Sequence, residues 1–171
     1  VRGNNRFNTN PGSILQIDGE IANVTNIKGL LSPGTSPGIV TTPGDLNIIN
    51  ATLEIEIDGT TQGVDYDWLD VGGTANLGSG TGGTLKPVIN YVPSTGDRIT
   101  FLTATTITGT FNTIDPLLPA GWGLDYSIPG EVSLLFDPTI FPVELLEFEA
   151  MVFEQSTLLN WATASELNNE G

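Results

Sequence analysis

The stretch Leu53-Glu54-Ile55-Glu56-Ile57 alternates without a break. Leu53, Ile55 and Ile57 fall on one side of an extended chain, and Glu54 and Glu56 fall on the other. That is the pattern of a half-buried β-strand with a charged outer face. Val132, Leu134 and Phe136 alternate with Ser133 and Leu135 in the same way. Ile14-Leu15-Gln16-Ile17, Leu46-Asn47-Ile48-Ile49 and Ile99-Thr100-Phe101-Leu102 are apolar runs of strand length. No stretch in residues 1–138 keeps a 3.6-residue period for three turns, so almost no helix is expected there.

Turn signals punctuate these runs. Pro-Gly occurs at Pro11-Gly12, Pro33-Gly34, Pro37-Gly38, Pro43-Gly44 and Pro129-Gly130. Proline sets φ for the first corner of a turn and glycine supplies a positive φ for the second. Strand-turn units follow one another at roughly 20-residue intervals through residues 10–73, a spacing that suggests the stacked coils of a solenoid. A β-sandwich with closer turns is the rival arrangement.

Composition narrows the function classes. The chain has 171 residues, no cysteine and no histidine. Disulfides, thiolate chemistry and the commonest general base are therefore excluded. Lys plus Arg number 5 against 20 Asp plus Glu, for a formal charge of −15. Such a surface repels phosphate backbones and anionic lipid, so neither nucleic acid nor membrane is an expected partner. No apolar run reaches the ~18 residues that a spanning helix needs. The chain opens on Val1 with no apolar leader and stops at Gly171 with no closing element, which reads as a segment of something longer.

The character changes near Pro138. No glycine occurs between Thr139 and Gly171, and no basic residue follows Arg98. Residues 1–138 are therefore expected as one module and residues 139–171 as a linker with the first strands of a second. The strands of the second would hold Leu146, Phe148 and Ala150 on one face and run again through residues 157–162.

Two stretches resemble known patterns. The turn Leu31-Ser32-Pro33-Gly34-Thr35-Ser36-Pro37-Gly38 is followed by the strand Leu53–Ile57. Then come Tyr66-Asp67-Trp68-Leu69-Asp70-Val71-Gly72-Gly73, Gly96-Asp97-Arg98-Ile99-Thr100-Phe101-Leu102 and Ile107-Thr108-Gly109-Thr110-Phe111. Together they resemble the last coils of pertactin-like autotransporter passenger domains. The resemblance implies an all-β fold, a right-handed parallel β-helix whose open end carries an antiparallel C-terminal cap. Pro142-Val143-Glu144-Leu145-Leu146-Glu147-Phe148 with Leu159-Asn160-Trp161-Ala162-Thr163-Ala164-Ser165-Glu166-Leu167-Asn168-Asn169-Glu170-Gly171 is similar to the opening of a fibronectin-III-like β-sandwich. That sandwich is found in large secreted proteins of Bacteroidetes that use type IX secretion. It implies an extracellular or cell-surface setting in a Gram-negative bacterium, with two strands of a truncated sandwich at this chain's end.

Several residues are candidates for a site. Asp65, Asp67 and Asp70 cluster beside Tyr66 and Trp68. Alternation puts Asp65 and Asp67 on one side, where they could share Ca²⁺, although no EF-hand loop surrounds them. Paired carboxylates could also serve a glycosidase or lyase, and a solvated strand face is the bland alternative. Residues 78–84 are glycine-rich, but no lysine follows where a phosphate loop needs one. Of Trp68, Trp122 and Trp161, Trp122 is glycine-flanked and, with Tyr126, offers a platform for stacking a sugar; packing is the competing role. Asn23 and Asn50 begin glycosylation sequons.

These observations favour a non-enzymatic structural stalk or adhesin-like segment with no catalytic residue and no cofactor apart from the candidate Ca²⁺. The expected partners are neighbouring domains of the same polypeptide, and beyond them a surface glycan or further copies. A carbohydrate-binding module and a filament subunit assembled by strand addition are the alternatives.

Overall fold

A computed structural model of the chain describes residues 7–8, 10–21, 24–34, 37–78, 82–139, 145–153 and 156–163. The chain divides into two compact units, Val1–Asp137 and Pro138–Gly171. The first carries β1 (Phe7–Asn8), β2 (Ile14–Ile17), β3 (Gly19–Glu20), β4 (Val24–Asn26), β5 (Leu30–Pro33), β6 (Ile39–Thr42) and β7 (Leu46–Asn47). It continues with β8 (Thr52–Ile57), β9 (Trp68–Gly78), β10 (Thr84–Ile89), β11 (Arg98–Gly109), β12 (Thr113–Ile114), β13 (Trp122–Asp125) and β14 (Glu131–Phe136). The second carries β15 (Leu145–Phe153) and β16 (Ser156–Thr163). Among the described residues there is no helix, and hence none long and apolar enough to cross a membrane.

The alternation at Leu53–Ile57 lies in the five-stranded parallel sheet, whose order is β12-β10-β8-β5-β2. One in-register row crosses it, from Leu15 through Leu31, Leu53 and Leu85 to Ile114. Leu31, Leu53 and Leu85 are all 0% exposed. Burying each contributes about 1.5–3 kcal/mol. On the outer side of the same strands, Lys86 Nζ lies 2.5 Å from Glu54 Oε2.

The other sheet of the first unit is mixed. Among the described residues it has nine strands, with β1-β4-β7-β9-β11-β14-β13 as its main path, β6 also on β9 and β3 on β6. Its inner row runs from Val40 through Leu69 and Leu102 to Val132. These side chains and those of the parallel sheet form a single core cluster.

The architecture corrects the expected right-handed parallel β-helix with its antiparallel cap. The strands are organised as two sheets, one parallel and one mixed, and not as a solenoid. The antiparallel pairs β11–β14 and β14–β13 continue the mixed sheet by its own ladder and do not form a separate lid. A repeating coil needs equivalent strands at equivalent places. Here strand length varies from 2 to 12 residues. The single strand β9 spans both β6 and β7 on one side. The spacing of Pro-Gly turns marks strand boundaries but not equivalence. Even as turns the five pairs differ. Gly12, Gly34 and Gly130 adopt φ of +80°, +65° and +82°, whereas Gly38 and Gly44 stay out of that region.

In the second unit β15 and β16 pair with each other, antiparallel, from Leu145↔Thr163 to Phe153↔Ser156. The two strands expected after residue 139 are present, and among the described residues they form a two-stranded ribbon. Asn23 and residues 79–81, 142–144 and 164–171, which carried a sequon and parts of the glycine-rich and sandwich readings, lie outside the described residues.

Candidate binding face of the mixed sheet

The three aspartates do not form one site. Between Asp65 and Asp67 the chain is in a turn that ends at Tyr66, so strand alternation does not apply there. Asp65 closes the turn: its Oδ2 accepts from Thr61 N–H at 3.0 Å. The Thr61 hydroxyl and amide hold its carboxyl below the ordinary carboxylate range. Asp67 turns inward and is 1% exposed. Its Oδ1 accepts from Gly38 N–H at 2.7 Å and its Oδ2 from Glu56 N–H at 2.8 Å. Asp67 therefore ties the start of β6 to β8, one strand from each sheet. Burial pushes its carboxyl up to about 6, against the pull of those two amides. Asp70 points outward from β9 and accepts from Thr103 Oγ1 at 2.7 Å. Among the described residues no group of three or more carboxylates is placed to hold a metal ion.

Trp122 and Tyr126 sit on the core side. The pairing of β13 with β14 sets Trp122 opposite Phe136 and Leu124 opposite Leu134. Trp122 meets Phe136 at 5.3 Å between ring centres and Tyr91 edge-on at 6.0 Å. Tyr126 Oη accepts from Phe111 N–H at 3.1 Å, and burial raises its phenol. Both rings are partly buried against the core cluster. For Trp161 the described feature is its place in β16 opposite Phe148.

The residue that alternation turns outward is Trp68. Leu69 and Val71 enter the core at 0% and 1% exposure, so Trp68 and Asp70 stand on the solvent side of β9. Trp68 is only partly covered. Its indole Nε1–H donates to Thr103 Oγ1 at 3.0 Å, and that hydroxyl donates in turn to Asp70. The chain of bonds fixes the ring on the sheet. Strand pairing extends the polar row from Glu20 through Thr41, Asp70 and Thr103 to Glu131. Beyond it Arg98 pairs with Asp125 and stands 3.9 Å from Glu131. The Arg98 guanidinium holds the Asp125 carboxyl down at about 2. Thr100 and Ser133 share a hydroxyl contact of 2.9 Å in the same patch.

A second polar row lies further along the two strands. Asn26, Asn47, Asn76 and Thr108 follow one another in register across four strands. Between the rows β9 bulges at Gly72-Gly73, where β6 gives way to β7. A side chain on Gly73 would run into Asp45 Oδ1 and, at 2.8 Å, the Gly44 carbonyl carbon. Asp45 also accepts from Thr74 N–H at 2.7 Å. The Gly-Gly pair thus lets the Pro43-Gly44-Asp45 link press against the long strand, and bulges of this kind re-aim the side chains beyond them. On the parallel sheet a cavity of about 280 Å³ opens among Ser13, Ile14, Lys28, Leu30, Asn50 and Thr52. It falls just below the ~300–1,000 Å³ of ordinary small-molecule pockets.

Compared with protein-family models the sequence finds no match. Compared with curated proteins it finds none either.

Proposed function

We propose that the chain is a non-enzymatic scaffold segment of a large secreted or cell-surface protein of a Gram-negative bacterium, carrying neighbouring domains of the same polypeptide. The observation that carries this reading is the use made of its carboxylates. Asp67 bridges two sheets through backbone amides. Asp45 clamps the bulge of β9, Glu54 pairs with Lys86 across strands, and Asp125 pairs with Arg98. A carboxylate whose oxygens both accept backbone N–H holds geometry and is poorly placed for proton transfer to a substrate. The acidic surface keeps such a segment soluble and apart from other acidic chains. The secreted setting rests on the resemblance in residues 142–171. Incubating the full chain with polysaccharides and protein substrates, with product analysis by mass spectrometry, tests the reading. No product is expected, and saturable product formation overturns it.

A further inference from the structure

We propose that the outer face of the mixed sheet, centred on Trp68, binds the chain of a neutral polysaccharide. This goes beyond the scaffold role and fails separately from it, because scaffolding needs no ligand. Four observations carry it. First, Trp68 lies on the solvent side of β9, outside the core cluster, while Trp122 packs within its margin. Second, the Thr103–Asp70 relay holds the indole in one orientation, so little ordering is left for a ligand to impose. The negative face of such a ring attracts the electropositive C–H face of a pyranose. Third, β9 and β11 run 11 and 12 residues, and their outward side presents hydroxyls and amides at strand spacing. Thr103, Thr74 with Thr106, and Asn76 with Thr108 are in step along them. Thr106 and Thr108 are exposed. At about 3.3 Å per residue the face is roughly 35 Å long, which suits an extended polymer rich in hydroxyls. Fourth, Asp70, Glu131 and a formal charge of −15 set the sign of the field. Uronate and sulfate chains are repelled, which leaves neutral ones. A protein partner would need a larger buried apolar anchor patch; on this face Ile39 lies in register beside Trp68, and the other outward side chains along β9 and β11 are polar.

The test is affinity electrophoresis of the full chain in native gels containing laminarin, mannan, xyloglucan or alginate. Retardation by at least one of the three neutral polymers is expected, with none by alginate. Trp68→Ala should weaken the apparent affinity about tenfold or more, and Glu54→Gln on the other sheet should leave it unchanged. Thr106→Glu, at an exposed position of β11, should also weaken it and covers the case in which Trp68→Ala fails to fold. No retardation by any neutral polymer overturns the proposal. So does retardation that survives both Trp68→Ala and Thr106→Glu, or retardation greater in alginate than in the neutral gels.

Discussion

The two sheets of the first unit are built from the same residue types and end differently. In the parallel sheet β8 and β10 pair through six successive positions, Thr52–Ile57 against Thr84–Ile89, with no shift of register. In the mixed sheet β9 and β11 slip twice, between Ala104 and Thr106 and between Thr108 and Gly109. The regular sheet carries an ion pair, short polar side chains and the exposed Ile14 on its outside. The irregular one carries Trp68, its hydroxyl relay and the Arg98 cluster. Regularity serves packing, since every inner residue meets an inner residue of the next strand. Bulges cost pairing but redirect side chains, and they recur where a surface has a task.

Four substitutions sharpen this contrast. The largest effect is expected in the regular sheet. Leu53→Ala removes a fully buried side chain from the middle of the five-strand row. It should lower the unfolding free energy by about 2–5 kcal/mol in urea titrations. An equal loss from Thr84→Ala on the outer side would break the distinction between faces.

Asp67, the tie between sheets, comes next. Its folded value of about 6 stands above the ordinary 3.8. The folded state therefore holds the proton more tightly than the unfolded chain. The stability this group contributes is complete below about 3.8 and is lost as pH rises through 6. By the usual conversion the swing is about 3 kcal/mol. Asp67→Asn should remove that component from a stability–pH curve between about pH 4 and 7. An identical curve in the variant would show that the carboxyl is not desolvated.

Gly73→Ala probes the bulge. The added carbon meets Asp45 and the Gly44 carbonyl carbon, so β7 must shift from β9. A loss of about 1–3 kcal/mol is expected, with chemical-shift changes confined to residues near Asp45 and Thr74. The smallest effect belongs to Lys86→Ala. The pair with Glu54 is 43% and 22% exposed, so it contributes less than about 1 kcal/mol, and less again in high salt. The Lys86 ammonium holds the Glu54 carboxyl below its ordinary range. Whatever stability the pair adds is therefore present above that ordinary range and fades as pH falls through the lowered value.

Alternation makes the strands legible. Leu53–Ile57 and Val132–Phe136 are readable because each shows one face to the core. Strand partnership is not readable, because the same alternation fits a coil, a sandwich or two packed sheets. What separates these is which strands meet, and that depends on residues far apart in sequence. Asp67 shows the same limit, since its two amide donors lie 29 and 11 residues away. Trp122 reads as a loop platform because glycine flanks it, yet its register with Phe136 turns it inward. A local signal is available: Trp122, Leu124 and Tyr126 alternate together, which implies one apolar face. Trp68 and Asp70 alternate with Leu69 and Val71 in the same manner, and that pattern puts Trp68 outside. The bulge at Gly72-Gly73 has no such signal, since a pair of glycines also fits an ordinary corner.

Residue-resolved hydrogen exchange tests the two-sheet scaffold most directly. The amides of Gly38 and Glu56, bonded to Asp67, should exchange as slowly as those of residues 53–55, 85–86 and 69–71, all through one global opening. Exchange at Gly38 and Glu56 as fast as at the exposed Leu117, with the other strand amides still protected, would show that the sheets are not joined there and would contradict the account.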